Sequence, residues 1–108
     1  MYFCDMNNRL SKELSQGVRT RTFWADRMLI SVLEFASHSI VPNHKHPHEQ
    51  VGVILEGELY MTIAGETRLM KAGEAYVIPG NVEHGGKTGD KPARVFDTFS
   101  PVREEYKY

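Results

Sequence analysis

His44-Lys45-His46-Pro47-His48-Glu49-Gln50 runs directly into Val51-Gly52-Val53-Ile54-Leu55-Glu56-Gly57, and this stretch decides how the chain is read. His44 and His46 are two apart, so on an extended strand both rings point to the same face. Imidazole is the commonest protein ligand for divalent transition metals, and several such donors in one small pocket imply coordination. His84, far along the chain, offers a further ring. Gln50 to Leu55 is apolar with β-branched residues, the pattern of a strand covered on both sides.

Outward from that stretch the reading is β almost throughout. Glu56-Gly57-Glu58 marks a tight turn into Leu59-Tyr60-Met61-Thr62-Ile63, where Leu59, Met61 and Ile63 share a face. Ala64-Gly65-Glu66 and Lys71-Ala72-Gly73-Glu74 are the next turns. Ala75 to Ile78 is a short apolar strand closed by Pro79-Gly80-Asn81. Upstream, Met28 to Ala36 places Leu29, Ser31, Leu33 and Phe35 on one face, with Glu34 on the other. Arg19 to Trp24 alternates as an edge strand does, and polar residues 7–17 allow at most a short helix ending near Gly17. Ala93 to Phe99 is the last strand, ending at Ser100-Pro101. Short strands, evenly spaced turns and no long helix indicate an all-β sandwich or barrel.

At 108 residues there is room for one domain. It divides into an N-terminal extension (1–17), a β-barrel over about 18–100 and a C-terminal tail to 108. A 41 % hydrophobic and 25 % charged composition is that of a folded globular chain. The formal net charge is -1 and no basic block stands out, which argues against a nucleic-acid partner. No apolar run approaches the roughly 20 residues needed to span a bilayer. The start, Met1-Tyr2-Phe3-Cys4-Asp5, lacks the apolar core of a signal peptide, and Cys4 is the only cysteine. A reducing, cytoplasmic location is therefore expected.

Two motifs stand in register. His44-x-His46 is followed by Gln50 and Gly57, and Gly73 is followed by Pro79, Asn81 and His84. Their spacing resembles the paired motifs of the cupin superfamily, H-x-H-x3,4-E-x6-G and G-x5-P-x-G-x2-H-x3-N. That resemblance implies a double-stranded β-helix, or jelly roll, with a metal inside it. Carried over by position, the ligands are His44, His46, Gln50 and His84, with His48 and Glu49 as rivals to Gln50. Gln50 stands where the pattern has Glu, Asn81 where it has Gly, and Thr88 where it has Asn. The first departure has chemical content. A neutral amide leaves the bound ion one unit more positive and cannot accept a proton. Nickel, iron, zinc, manganese and cobalt all suit such donors.

The last strand narrows the resemblance. Asp97-Thr98-Phe99-Ser100-Pro101-Val102-Arg103-Glu104-Glu105 is similar to the tail of the pectin degradation protein family KdgF. These small cupins convert 4,5-unsaturated uronate monosaccharides, left by pectin and alginate lyases, into linear ketonised sugars. The resemblance implies catalytic roles for Asp97 and Arg103 and a substrate-binding role for Phe99. It implies an isomerase acting on an anionic sugar. A homodimer is expected too, with Arg19 to Trp24 and an exposed Trp24 as the edge to pair. A cupin dioxygenase and a non-catalytic metal- or small-molecule-binding cupin are the alternative functions. As ordinary structure, Asp97 and Arg103 would be a surface ion pair worth about 0–1 kcal/mol.

Overall fold

A computed structural model describes residues 2–108. Ten strands follow one another along the chain: β1 (Lys12–Ser15), β2 (Val18–Trp24), β3 (Leu29–Phe35), β4 (Ile40–His44), β5 (Glu49–Glu56), β6 (Glu58–Ile63), β7 (Glu66–Lys71), β8 (Ala75–Ile78), β9 (His84–Lys87) and β10 (Ala93–Ser100). A single turn of 3₁₀ helix, Glu104–Tyr106, closes the chain. The strands form a six-stranded sheet, ordered β1-β2-β3-β10-β5-β8, and a four-stranded sheet, ordered β4-β9-β6-β7. Neighbouring strands are antiparallel. This is the expected all-β jelly roll. Among the described residues no helix is long and apolar enough to cross a membrane.

Alternation builds the core. Leu29, Ser31, Leu33 and Phe35 on β3 are buried while Glu34 is exposed, and Ala93, Val95, Asp97 and Phe99 on β10 are all buried. Val18, Leu33, Phe35, Ile54 and Val95 of the larger sheet pack against Leu59 and Met61 of the smaller one. The β6–β7 hairpin turns on Ala64 (φ 50°) and Gly65 (φ 82°), both left-handed as a two-residue type I′ turn requires.

Four expectations need correction. Residues 7–17 hold no helix: Lys12–Ser15 is a strand paired antiparallel with β2. Consequently β2 is not an edge, since β1 covers one side and β3 the other. Its backbone is spoken for, so pairing of two copies through Arg19 to Trp24 has no free strand edge to use, although Trp24 is 40 % exposed. The Gln50–Leu55 strand is covered on one side only: Gln50, Gly52 and Ile54 face inward, while Val51 and Leu55 are exposed. A run of apolar residues hides alternation when the outward positions are apolar as well. Finally, His44 and His46 do not share a strand, because β4 ends at His44.

Candidate functional site

The three histidines nevertheless meet. His44 closes β4 and His84 opens β9, and the two are direct cross-strand partners. His46 sits in the loop leading to β5 and turns its ring inward. Ring centroids lie 4.5 Å apart for His44–His84, 4.9 Å for His46–His84 and 5.8 Å for His44–His46. One nitrogen from each comes within 4.8 Å of the others.

Their outer nitrogens are occupied by the chain itself. His44 Nδ1 lies 2.8 Å from the Pro42 carbonyl, His46 Nδ1 3.0 Å from that of His48, and His84 Nδ1 2.8 Å from that of Val82. A carbonyl only accepts, so each Nδ1 carries the proton and each Nε2 keeps a lone pair, the tautomer a metal requires. His84 Nε2 is buried with no partner. His46 Nε2 lies 3.1 Å from Gln50 Oε1. Neutral His46 has one proton and two acceptors to satisfy, and it stays neutral: burial above all, then the charge of Arg103, lowers its pKa to about 4. His84 is lowered as well, chiefly by burial. Two lone pairs facing each other and a third buried without a donor fit a cation, and the donor set is one that a divalent transition metal accepts.

Gln50, 6 % exposed on the inner face of β5, is the neighbour that reaches this cluster. Glu49 is exposed, and the His48 ring stands outside it, 5.4 Å from that of His46. His38, at the surface, lies 3.3 Å from Asp90.

The tail residues line the same pocket, a cavity of about 280 Å³ between the sheets. Asp97 is 5 % exposed on the inner face of β10, so the surface-ion-pair description fails for it. The Tyr76 hydroxyl donates to Asp97 Oδ1, and the nearby Gln50 amide favours the ionised carboxylate. Burial raises its pKa to about 6, against the lowering effect of Tyr76, Gln50 and Arg103. Phe99 packs edge-on against the His46 ring at 5.6 Å and the Tyr106 ring at 5.5 Å. Arg103 lies over the Tyr106 ring at 4.1 Å, its Nε 2.5 Å from Glu105. Arg103 thus pairs with Glu105 rather than Asp97.

Tyr76 and Tyr106 were not singled out in the sequence. Tyr76 carried a signal: it is the one polar-tipped residue in Ala75–Ile78 and shares parity with Ile78, which is fully buried. Tyr106 lies in the 3₁₀ turn, beyond the reach of strand alternation.

Comparison with known proteins agrees with this architecture. Residues 31–99 match the family model described as a cupin domain. The chain is 32 % identical over 97 residues to the pectin degradation protein KdgF of Dickeya dadantii, covering 88 % of each chain. It is 45 % identical over 51 residues to the H2HPP isomerase of Bacillus subtilis, a match spanning 22 % of that protein. Among solved structures, an RmlC-like cupin from Shewanella frigidimarina superposes with a TM-score of 0.93 at 23 % identity, covering 99 % of this chain and 96 % of that one. KdgF from Halomonas sp. superposes with a TM-score of 0.91 at 22 % identity over 99 % of both chains. At those identities the superpositions establish the fold. A family match over most of the barrel and an alignment over nearly the whole chain establish kinship: the chain belongs to the cupin superfamily and, within it, to the group of the pectin degradation protein KdgF.

Proposed function

We propose that this cupin is a metal-dependent isomerase that opens 4,5-unsaturated uronate monosaccharides to linear ketonised sugars. The observation that carries the reading is Asp97, an ionisable carboxyl buried on the wall of a pocket that also holds the His44 and His84 imidazoles, with His46 clustered beside them, and one guanidinium. A buried acid on an otherwise apolar inward face is costly without a role.

The reaction is an isomerisation, so no atom is gained or lost. The anomeric hydroxyl gives up its proton and C1 becomes a carbonyl as the C1–ring-oxygen bond breaks, its electron pair going to the ring oxygen. C4 then takes a proton and the enolate becomes a ketone. Asp97 is the group to take the first proton and return one, and a carboxyl titrating at about 6 can do both near neutral pH. Gln50 cannot, being an amide.

His44, His46, His84 and Gln50 would hold the ion, whether nickel, iron, zinc, manganese or cobalt. Such an ion supplies a Lewis acid for the negative charge gathering on the ring oxygen. The Arg103 guanidinium, its Nε tied to Glu105, turns toward the pocket to receive the substrate carboxylate. Phe99 presents an apolar wall to the sugar face.

Purified, metal-loaded protein mixed with freshly generated unsaturated galacturonate tests this directly. The ultraviolet absorbance of the conjugated double bond should fall much faster than it does spontaneously. Decay at the spontaneous rate would remove the reading, and oxygen uptake with phenolic or diketone substrates would replace it with a dioxygenase.

A further inference from the structure

Asp97 and Tyr76 stand on strands that do not touch: β5 runs between β10 and β8. Register puts Asp97, Gly52 and Tyr76 in one row across these three strands. Adjacent strands lie about 4.8 Å apart, so the side chains at the two ends of such a row ordinarily meet the middle residue's side chain first. Here the middle residue has none, and the Tyr76 hydroxyl reaches Asp97 across the bare backbone of Gly52. A Cβ built on Gly52 would overlap Asp97 Oδ1 and come within 2.5 Å of Tyr76 Oη and Cζ. Gly52 is not among the positive-φ glycines, so the requirement is for space.

Nothing about burial alone demands this arrangement. Asp97 has a second polar neighbour in Gln50, and an asparagine or a serine opposite it could have supplied a nearer donor. Tyr76 reaches further and is rigid, with its ring packed in the apolar core and only its hydroxyl directed at the site. Fixing Oδ1 fixes the plane of the carboxylate and therefore where its other oxygen points.

The geometry points to Tyr76 and Gly52 as a positioning pair that aims the Asp97 carboxylate at the substrate. The inference rests on the proton-carrying role given to Asp97 above. Neither residue needs to touch the sugar. Their contribution belongs to the chemical step, where a misaligned proton carrier costs rate while leaving binding intact.

The test uses full-length Tyr76→Phe, Gly52→Ala and Asp97→Asn proteins and the Tyr76→Phe/Asp97→Asn double variant, each loaded with metal. Tyr76→Phe keeps the packed ring and should lower kcat roughly tenfold to a hundredfold, with KM within about twofold of wild type and metal content unchanged. Adding Tyr76→Phe to Asp97→Asn should cost no further rate, because the residue it positions is already gone. Gly52→Ala should resemble Tyr76→Phe in kcat. Additive losses in the double variant, or a Tyr76→Phe kcat equal to wild type, would overturn the assignment. A second readout needs no substrate: the ¹³C resonance of the Asp97 carboxyl at one fixed pH should move in Tyr76→Phe and in Gly52→Ala. An unmoved resonance also overturns the assignment. If wild type leaves the uronate untouched, the uronate reading falls and the positioning claim stands or falls on that resonance alone.

Discussion

The barrel has two ends built on the same strands. On β10, Ala93 faces an apolar interior, Val95 lies where that interior meets the pocket, and Asp97 and Phe99 face the pocket, while on β5 Ile54 belongs to the first end and Gln50 to the second. Each strand changes role over two inward positions. At the apolar end aliphatic and aromatic side chains such as Val18, Leu33, Phe35, Ile54 and Leu59 pack together. At the other end a carboxylate, an amide, a phenol and two imidazoles are buried together beside the half-buried His44 ring, and Nε2 of His84 has no partner. Such a cluster weakens a fold, and it persists because the packed half holds the strands in register. Damage at one end should therefore remove chemistry and spare the fold, and damage at the other should do the reverse.

The largest effect expected is from His84→Ala. It removes the buried unpartnered nitrogen and one of the three rings, so metal affinity should fall at least a hundredfold. Activity should drop to the spontaneous rate while circular dichroism stays that of wild type. Elemental analysis after dialysis reads the first outcome, and a variant that still retains stoichiometric metal would show that His84 is not a ligand. Asp97→Asn comes next. Metal content should match wild type, and kcat should fall about a hundredfold to ten-thousandfold. At the other end, Ile54→Ala should cost about 2–5 kcal/mol of stability in denaturant unfolding. Its folded fraction should still bind metal and turn over substrate near the wild-type rate. An Ile54 variant that loses metal before it loses stability would dissolve the distinction between the ends.

The same division explains what could be read in the chain. The histidine cluster was legible because its spacing is local: His44, His46 and Gln50 lie within seven residues, and His84 follows a turn signalled by Pro79-Gly80-Asn81. Inward alternation on β3 and β6 was legible for the same reason. The smaller sheet was harder to see. β4 is Ile-Val-Pro-Asn-His with only two half-buried residues, and β9 is His-Gly-Gly-Lys, so neither carries an apolar period. β1 is polar because it is the true edge, and its presence moved Arg19 to Trp24 from edge to interior. Asp97 stood out through the resemblance of the tail, and it shares its inward parity with Val95 and Phe99. Its partner was out of reach, because the Tyr76 contact depends on the register of three strands and on what Gly52 lacks. Arg103 was legible as a candidate, but its Glu105 partner depends on the path of the chain after β10.

The smallest effect sharpens the comparison most, since it asks what the polar end costs the fold in the absence of metal. Burial raises the Asp97 pKa from 3.8 to about 6. A carboxyl raised in the folded state favours folding fully below its unfolded pKa, and that contribution is lost as pH rises through the folded pKa. Chelator-treated wild type should therefore lose stability relative to Asp97→Asn between pH 3.8 and about 6, by on the order of 3 kcal/mol for the whole window. His46 has the opposite sign: lowered to about 4, it favours folding above its ordinary 6.5 and withdraws that support as pH falls through 4. Wild type alone would consequently show a shallow profile in which the two trends offset one another. Both proteins keep His46, so its influence largely cancels when urea unfolding free energies of the pair are subtracted at each pH. A difference that grows with pH in favour of Asp97→Asn means the ionised carboxylate is a strain on the fold. A flat difference would mean that Tyr76 and Gln50 compensate the buried charge completely, and the polar end would then cost the fold nothing through Asp97.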